Sequence, residues 1–393
     1  MTPQGSPPAV VGYDVHALRA AEFPWAEAGE SCYLNNASTG PLPARTVRAM
    51  DAFNARRARP WTVDWPAQRA TLQRGRELCA GLVGATWPEI ALMGNTTLGL
   101  NLAARALPLK QGDVVLTFDK EFPSNVYPWM ALEKRGVRLE RVPCAGRLPD
   151  EDALLRAMDR PGVRCVTVSW VSFATGYAVD LEAIGRACRE RGIWFVVDAM
   201  QGIGVRRLDV KRCHVDILAC GAQKWLLGPW GAGFAYVREE LARTLEPATV
   251  GWLAMQASED FTRLTDYEYR FFDDARRFEV LTFPVQDVAG MSASLELLAE
   301  LGPEAVEAHV YGLTDAIVEW ALATPAMTLV TPRERARRAG IVAVAPPGPE
   351  AASARLTAAR VAHSLREGAI RLSPHCYNTV EEVDVALRAI EGL

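Results

Sequence analysis

Two charged residues, Asp198 and Lys224, stand in apolar surroundings where ionised side chains are uncommon. Asp198 ends the apolar run that begins at Trp194, and Lys224 follows the short run 216–220 within the segment CGAQKWLLGPWG. Burial would lower the pKa of the lysine and leave its amine free to attack an aldehyde. Taken alone, Lys224 is better explained as a surface lysine at a strand end, and Asp198 could be the ordinary cap of a turn.

Together the two residues predict a site for pyridoxal phosphate. This cofactor withdraws electrons from its substrate only while its ring nitrogen stays protonated, and a buried carboxylate keeps that proton in place. Asp198 would hold the nitrogen, Lys224 would bond to the cofactor aldehyde, and Gln201 could hydrogen-bond the phenolic oxygen. Two such residues on neighbouring strand ends are less easily explained as unrelated structural residues.

Three other segments could complete this site. In GNTTLGLN, Thr96 and Thr97 offer hydroxyl and backbone N–H groups where a helix starts, which suits a phosphate, although an ordinary helix cap needs the same residues. Phe122, at another predicted strand end, could stack on a ring or belong to the core. Arg371 ends a strand in AIRLSPHCYNT, and its planar guanidinium suits an α-carboxylate.

The elements that would position these residues follow an α/β pattern. Short apolar runs predict strands at 90–93, 114–118, 137–142, 163–169, 193–198, 217–220 and 234–237. Helices are predicted between several of them, at 96–106, 124–135, 151–158 and 181–191. This alternation is typical of a mostly parallel sheet covered on both faces, in which functional side chains collect at the carboxyl ends of the strands.

The chain is long enough for a large and a small domain. We expect an N-terminal arm over 1–30 packed on the small domain, a large cofactor-binding domain over 31–284, and a small α+β domain over 285–393. After a long helix at 285–300, the last domain is predicted to alternate strands (327–330, 341–344, 370–372) with helices (302–323, 352–366, 380–390).

Composition and charge exclude several classes of function. A net charge of −4 gives no basic surface for nucleic acid or an anionic membrane. The start of the chain has no signal-peptide pattern, and no apolar run reaches the length of a membrane span, so we expect a cytoplasmic protein. The 8 cysteines form no CxxC pair and the 5 histidines show no ligand spacing, so we expect no metal site.

Two hypotheses from other classes remain. A nicotinamide-dependent oxidoreductase would need GxGxxG after its first strand, but the only similar segment, GPWGAG at 228–233, precedes a strand instead of opening a helix. A binding or scaffold protein that has lost its activity is the other, and the presence of both Lys224 and Asp198 argues against it.

Motifs along most of the chain resemble the class V aminotransferase family of pyridoxal-phosphate enzymes, which includes cysteine desulfurases, selenocysteine lyases and isopenicillin N epimerase. In order they are YLNNASTGPLP, GNTTLGLNLAA, EFPSNVYPW, VSWVSFATG, VVDAMQG, GAQKWLLGPWGAGF, RFEVLTFP and IRLSPHCYNTVEEVD. The resemblance implies the α/β fold type I and a homodimer whose active sites lie at the subunit interface.

The resemblance also implies a role for individual residues. Lys224 corresponds to the Schiff-base lysine, and Thr282 to a threonine that reaches the phosphate from the other subunit. Arg371 corresponds to the arginine that binds the substrate carboxylate, and Asn36 is expected beside the substrate. The residues expected to contact the cofactor are Thr96, Thr97, Phe122, Asp198, Gln201, Gln223, Lys224 and Thr282.

Several positions depart from the desulfurase pattern. Phe122 stands where desulfurases carry a ring-stacking histidine, and Gly221 and Gln223 stand where they carry serine and histidine. The segment HSLREGAIR lacks the sulfur-accepting loop cysteine, and Cys376 lies beyond Arg371. We therefore expect an amino-acid substrate and transamination, or a lyase or epimerase reaction. Desulfuration or C–S cleavage without the loop cysteine is the alternative.

Overall fold

Helices and strands alternate along the part of the chain that this computed structural model describes, residues 12–280, 282 and 284–392. The strands are β1 (Cys32–Tyr33), β2 (Ile90–Met93), β3 (Val114–Phe118), β4 (Arg138–Val142), β5 (Val163–Ser169), β6 (Trp194–Asp198), β7 (Ile217–Gly221), β8 (Gly233–Val237), β9 (Thr328–Leu329), β10 (Val342–Ala345), β11 (Val361–Ala362), β12 (Ser364–Arg366) and β13 (Ala369–Leu372). The α-helices are α1 (Val15–Glu22), α2 (Pro24–Glu27), α3 (Ala44–Arg57), α4 (Trp65–Val83), α5 (Thr96–Ala106), α6 (Tyr127–Met130), α7 (Glu151–Ala157), α8 (Leu181–Arg191), α9 (Glu239–Thr244), α10 (Val285–Leu301), α11 (Pro303–Ala323), α12 (Pro349–Ala358) and α13 (Val380–Glu391). None of the described helices is long and apolar enough to cross a membrane.

A seven-stranded sheet lies at the centre of the molecule, in the order β2-β8-β7-β6-β5-β3-β4. Strands β7, β6, β5, β3 and β4 run parallel, whereas β8 runs antiparallel to both of its neighbours. Apolar clusters cover the two faces, one built with α5 and the other with α4, α8 and α10. The predicted α/β fold with a mostly parallel sheet is confirmed.

The parallel strands bring their carboxyl ends to one edge of this sheet. Ser169 ends β5 and lies opposite Asp198, the last residue of β6. Asp198 in turn lies beside Ala219 of β7, and Lys224 lies in the loop directly after β7. Residues far apart in the sequence therefore meet at a single edge.

A second, four-stranded antiparallel sheet has the order β12-β13-β10-β9. It packs with α11, α12 and α13 around a separate apolar core. The short strand β1 pairs in parallel with β11, so the beginning of the chain is joined to this C-terminal part. The two cores are consistent with a large and a small unit, but the exact limits remain predictions.

The described part of the N-terminal arm contacts the C-terminal segment. The Tyr13 hydroxyl donates to the Cys376 carbonyl at 2.7 Å, and the Arg19 guanidinium donates to the Tyr377 carbonyl at 3.0 Å. Arg19 also forms a buried salt bridge with Glu382 at 3.1 Å. Residues 1–11, which the predicted arm includes, lie outside the described part of the chain.

The helix predicted over 352–366 is wrong in its second half. Helix α12 ends at Ala358, Arg360 takes a left-handed conformation with φ of 58°, and the chain continues as β11 and β12. The Ala-rich start has a helical pattern, but residues from 361 onward gain hydrogen bonds from β1 and β13 that no local pattern reveals. Tertiary pairing overrides local propensity here.

The helix predicted over 124–135 is also wrong, because the segment is broken into short turns. A 3₁₀ turn at Pro123–Asn125 leads into the four-residue α6, which is followed by a second 3₁₀ turn at Ala131–Arg135. Pro128 lacks a backbone N–H and fits only in the first turn of a helix, so it marks a new start instead of continuing a long helix.

Close packing of α5 on the sheet depends on Gly99. A Cβ added there would lie 2.6 Å from the Cβ of Ala219, which is fixed to the buried backbone of β7. We expect Gly99→Ala to lower the free energy of unfolding by about 1–3 kcal/mol. Gly312 lies in the middle of α11 with open space around it, so Gly312→Ala should be neutral or stabilise by up to about 1 kcal/mol. Urea titration of both variants checks this, and equal stability of the two would contradict it.

Candidate active site

A cavity of about 360 Å³ opens at the edge where the parallel strands end. Its walls come from the loops after β3, β5, β6 and β7, from the start of α5 and from the β12–β13 hairpin. The lining residues are Ala37, Ser38, Asn95, Thr96, Thr97, Phe122, Ser124, Ser169, Val171, Phe173, Asp198, Met200, Gln201, Gln223, Lys224, Arg366 and Arg371. Most of the residues predicted for the site therefore lie together.

Lys224 and Asp198 face this cavity without a salt bridge between them in the described structure. Burial lowers the pKa of Lys224 to about 8, with Arg371 acting in the same direction and Asp198 opposing it. Burial also raises the pKa of Asp198 to about 6, although the N–H of Met200 donates to its carboxylate at 3.0 Å. The lysine amine is therefore available as a nucleophile near neutral pH.

Aromatic rings form one wall beside the amine. The Lys224 Nζ lies 5.5 Å from the centroid of the Phe122 ring. Phe173 packs edge-on against Phe122, with 5.2 Å between ring centroids and 72° between ring planes. A planar cofactor ring placed over Lys224 would therefore meet an apolar surface, which is the environment that stacking requires.

The start of α5 presents hydroxyl and backbone N–H groups to the cavity. Asn95 caps the helix, because its side-chain oxygen accepts from the N–H of Leu98 at 3.0 Å. The Thr97 hydroxyl lies 2.9 Å from the hydroxyl of Ser124, whereas the buried Thr96 hydroxyl accepts from the N–H of Gly221 at 2.9 Å. A helix N-terminus with two adjacent hydroxyls suits a phosphate group.

Gln201 holds the loop around the lysine, and Gln223 fills the space beside Gly221. The Gln201 amide donates to the Ala37 carbonyl at 3.0 Å and accepts from the Trp225 indole N–H at 2.7 Å, so its side chain has a fixed orientation. A Cβ added at Gly221 would lie 2.5 Å from the Oε1 of Gln223. The Gln223 side chain thus occupies the space that a larger residue at position 221 would need.

Arg371 has no carboxylate partner among the described residues, although only 2% of its surface is exposed. Its guanidinium donates to the Phe173 carbonyl at 2.6 Å and to the Ser38 hydroxyl at 2.7 Å, while its Nε has no partner. Burial lowers the pKa of Arg371 to about 10. A buried guanidinium with an unused donor is well suited to bind the carboxylate of a ligand.

Comparison with known proteins identifies the family. The family described as Aminotransferase class-V matches residues 32–386. A probable cysteine desulfurase of Pyrococcus abyssi is 30% identical over 388 residues, 93% of this chain and 94% of that protein. The isopenicillin N epimerase of Streptomyces clavuligerus is 30% identical over 377 residues, 92% of this chain and 94% of that protein. The apo structure of a cysteine desulfurase from Thermococcus onnurineus has a TM-score of 0.83 and 27% identity, over 96% of this chain and 98% of that one. This chain belongs to the class V aminotransferase family.

As a member of the class V aminotransferase family, the protein is a pyridoxal-phosphate-dependent enzyme. The residues of the cavity fit this cofactor. Lys224 would supply an amine of lowered pKa for the aldehyde, Asp198 a buried carboxylate for the ring nitrogen, and the start of α5 donors for the phosphate. Each charged group of the cofactor thus has a partner of suitable chemistry in this enzyme.

Two predicted site residues do not line the cavity. The Asn36 amide donates to the Ser373 carbonyl at 2.8 Å, and its oxygen accepts from the Tyr377 hydroxyl at 2.9 Å. Both ends of this buried side chain are therefore engaged in structural contacts, and its neighbours Ala37 and Ser38 line the cavity instead. Thr282 is exposed and lies outside the cavity of its own chain, so its contact with a second subunit remains a prediction.

Sequence reasoning missed Glu121, which supports the cavity from behind Ser169. The Ser169 N–H donates to Glu121 at 2.9 Å, the Ser169 hydroxyl donates to the same carboxylate, and Asn125 donates to it at 3.4 Å. Burial raises the pKa of Glu121 to about 7, with Asp198 acting in the same direction. A glutamate in the short loop after strand β3 was the available signal. The hydroxyls of Ser38 and Ser124 and the guanidinium of Arg366 were missed as well.

The pKa of Lys224 predicts how this aminotransferase-family enzyme takes up its cofactor. Only the neutral amine attacks an aldehyde, so the rate at which cofactor-free protein captures pyridoxal phosphate should rise with pH through about 8 and then level off. Arg371→Gln removes a positive charge that lowers this pKa, and the midpoint should move to higher pH.

Stopped-flow absorbance across a pH series measures this rate. Arg388→Gln serves as the matched control, because Arg388 is exposed on α13 and lies outside the cavity. Its midpoint should equal that of the wild type. A capture rate that does not change with pH would show that burial does not shift the pKa of Lys224 as described.

Proposed function

We propose that this enzyme acts at the α-amino group and Cα of an amino acid, by transamination or by a lyase or epimerase reaction of the same branch, without transferring sulfur through a loop cysteine. One observation carries the proposal. None of the described residues that line the cavity is a cysteine, and Cys376, which is fully buried, is not among the lining residues. Burial also raises the pKa of the Cys376 thiol, which opposes formation of the reactive thiolate.

The residues of the cavity can share the work of this chemistry. Bound pyridoxal phosphate withdraws electrons from Cα of the attached amino acid. Lys224, whose pKa of about 8 lies near neutral pH, can remove the Cα proton and return it. Asp198 would keep the proton on the ring nitrogen, and Arg371 would bind the α-carboxylate and so restrict the orientation of the substrate.

Two of the similar proteins bear on the choice among these reactions. The similarity to an isopenicillin N epimerase covers 92% of this chain and favours proton movement at Cα. The similarity to a probable cysteine desulfurase covers 93% and keeps C–S cleavage as the second candidate, in a form that does not need the loop cysteine. Phe122 and Phe173, which form the aromatic wall of the cavity, supply no acid or base themselves.

Product analysis tests the reaction class. The holoenzyme is incubated with a panel of amino acids, and keto acid, elimination product, inverted stereocentre and persulfide are quantified separately. We expect keto acid, elimination product or inversion, and little persulfide. Rapid persulfide formation from cysteine would overturn the preference for the other reactions.

Lys224→Ala should lose the visible absorbance of lysine-bound cofactor and lower turnover by roughly 10²–10⁴-fold, since it removes the general base. Lys134→Ala changes an exposed lysine outside the cavity and should behave like the wild type. A colourless wild-type preparation that turns over no amino acid would refute the proposed function.

We also propose a homodimer with shared active sites. Aromatic side chains are exposed between residues 252 and 269, and those of Tyr267 and Tyr269 are 91% and 71% exposed. Aromatic residues are enriched in protein interfaces, and exposed apolar surface of this kind is unusual on a monomer. Thr282 follows the same segment, which supports the prediction that it reaches the phosphate in the second subunit.

Sedimentation tests the homodimer. The wild type should sediment as a dimer, and the double variant Tyr267→Asp with Tyr269→Asp should shift toward monomer because it buries charge in the interface. Leu322→Asp, on the exposed face of α11, is the matched control and should leave the dimer intact. A monomeric wild type would contradict the proposal.

We keep the cytoplasm as the proposed location. The support is chemical: all eight cysteines are free thiols, and proteins of reducing compartments keep their thiols unpaired. Fractionation of the source cells with an antibody to this enzyme would check the location.

A further inference from the structure

A second arginine, Arg366, lines the cavity beside Arg371 and has no task in the proposed function. It lies at the mouth, where its side chain is exposed, whereas Arg371 is buried deeper. The only hydrogen bond of its guanidinium within the described structure goes to the carbonyl of the adjacent Leu365, at 3.0 Å. No acidic side chain of the described residues forms a salt bridge with it, so most of its donors remain available to a ligand.

A tight hairpin fixes the position of Arg366. Strands β12 and β13 are joined by Glu367 and Gly368, whose φ angles of 48° and 71° are those of a two-residue type I′ turn. Arg366 pairs with Ala369 across this turn, and Ser364 pairs with Arg371. The register therefore leaves little freedom in where the Arg366 backbone lies.

The same register places both arginines on one face of the hairpin. Residues two apart in a strand share a face, so Arg366 lies on the face of Ser364, and Ser364 contacts the Arg371 guanidinium at 3.4 Å. Diagonal neighbours of this kind lie about 7–8 Å apart at the backbone. The two guanidinium groups can therefore reach opposite ends of one small ligand.

The charges of the cavity are unbalanced. Its lining residues include the cations Lys224, Arg366 and Arg371 and a single carboxylate, Asp198. In the proposed function the cofactor phosphate lies at the start of α5 and the substrate α-carboxylate at Arg371. Lys224 would bond to the cofactor aldehyde, which leaves Arg366 as the one cation of the described lining without a partner. Its guanidinium is therefore available to the substrate side chain.

We propose that Arg366 binds an anionic group on the substrate side chain, so that the enzyme prefers acidic amino acids of about the size of aspartate or glutamate. The inference rests on the proposed function, since it takes Arg371 as the site of the α-carboxylate. A carboxylate is a suitable partner because the planar guanidinium can bind it through two parallel hydrogen bonds. Arg366 acts as a specificity residue and takes no part in the proton transfer.

Binding of simple acids tests this without any turnover. Isothermal titration calorimetry of the holoenzyme measures the affinity of glutarate, a dicarboxylate, and of butanoate, a monocarboxylate of similar length. We expect the wild type to bind glutarate more tightly, and Arg366→Gln to weaken glutarate by about 10- to 100-fold while leaving butanoate unchanged. The affinity of Arg366→Lys for glutarate should lie between those of the wild type and Arg366→Gln, because lysine keeps the charge but loses the paired hydrogen bonds.

Steady-state kinetics give a second readout. In Arg366→Gln the KM for aspartate or glutamate should rise while that for alanine stays constant, and kcat for the acidic substrate should change little. Arg388→Gln on the exposed face of α13 is the matched control, and both of its KM values should equal those of the wild type.

Two outcomes would overturn the inference. Equal loss of glutarate and butanoate affinity in Arg366→Gln would mean that Arg366 serves the α-carboxylate together with Arg371. A wild type that binds both acids equally would mean that no second anion site exists. Failure of the proposed function is distinguishable from either, because it would appear as absence of turnover with every amino acid while the acids could still be titrated.

Discussion

The free-energy cost of removing charged groups from water determines the properties of the side chains at the edge of the sheet where β5, β6 and β7 end. Burial raises the pKa of Asp198 and Glu121 and lowers that of Lys224 and Arg371. Within the described residues, no salt bridge neutralises any of these groups, and hydrogen bonds to serines, amides and backbone groups support them only in part. The free-energy cost of burying these groups becomes modest only when a ligand supplies the missing charges. The zwitterionic amino acid and the charged cofactor of this family do so.

The rest of the fold keeps these groups in place. The Gln201 amide joins the loop after β6 to Ala37 and to Trp225, which directly follows the lysine. His375 contacts the Trp225 carbonyl at 2.9 Å, and burial lowers the pKa of His375 to about 4, so the ring stays neutral. Gly40 lies so close to the Lys224 carbonyl that no side chain fits there. The N-terminal and C-terminal segments therefore clamp the lysine loop from both sides.

Much of this could be predicted from sequence patterns. The runs at 90–93, 114–118 and 163–169 are strands with the predicted bounds, because continuous β-branched and apolar residues suit a strand buried on both faces. The wrong helix prediction over 352–366 also affected the prediction of site residues. A helix prediction there concealed the β12–β13 hairpin, and with it the reason why Arg366 lies beside Arg371. Pairing between strands depends on distant residues, which local propensity does not describe.

The order of strands and helices, the family motifs and the identity of the lysine and its aspartate can all be read along the chain, because each leaves a local signature of residue type and spacing. The desolvation and the hydrogen bonding of those groups cannot be read from the sequence in this way. The desolvation of Lys224 and the lack of a partner for the Arg371 Nε depend on neighbours that are distant in the chain. The same is true of the hydrogen bonds that join Asn36 to Ser373 and Tyr377. Charge and hydrogen bonding act through space, so only the folded arrangement decided which predicted residues face the cavity and which support it.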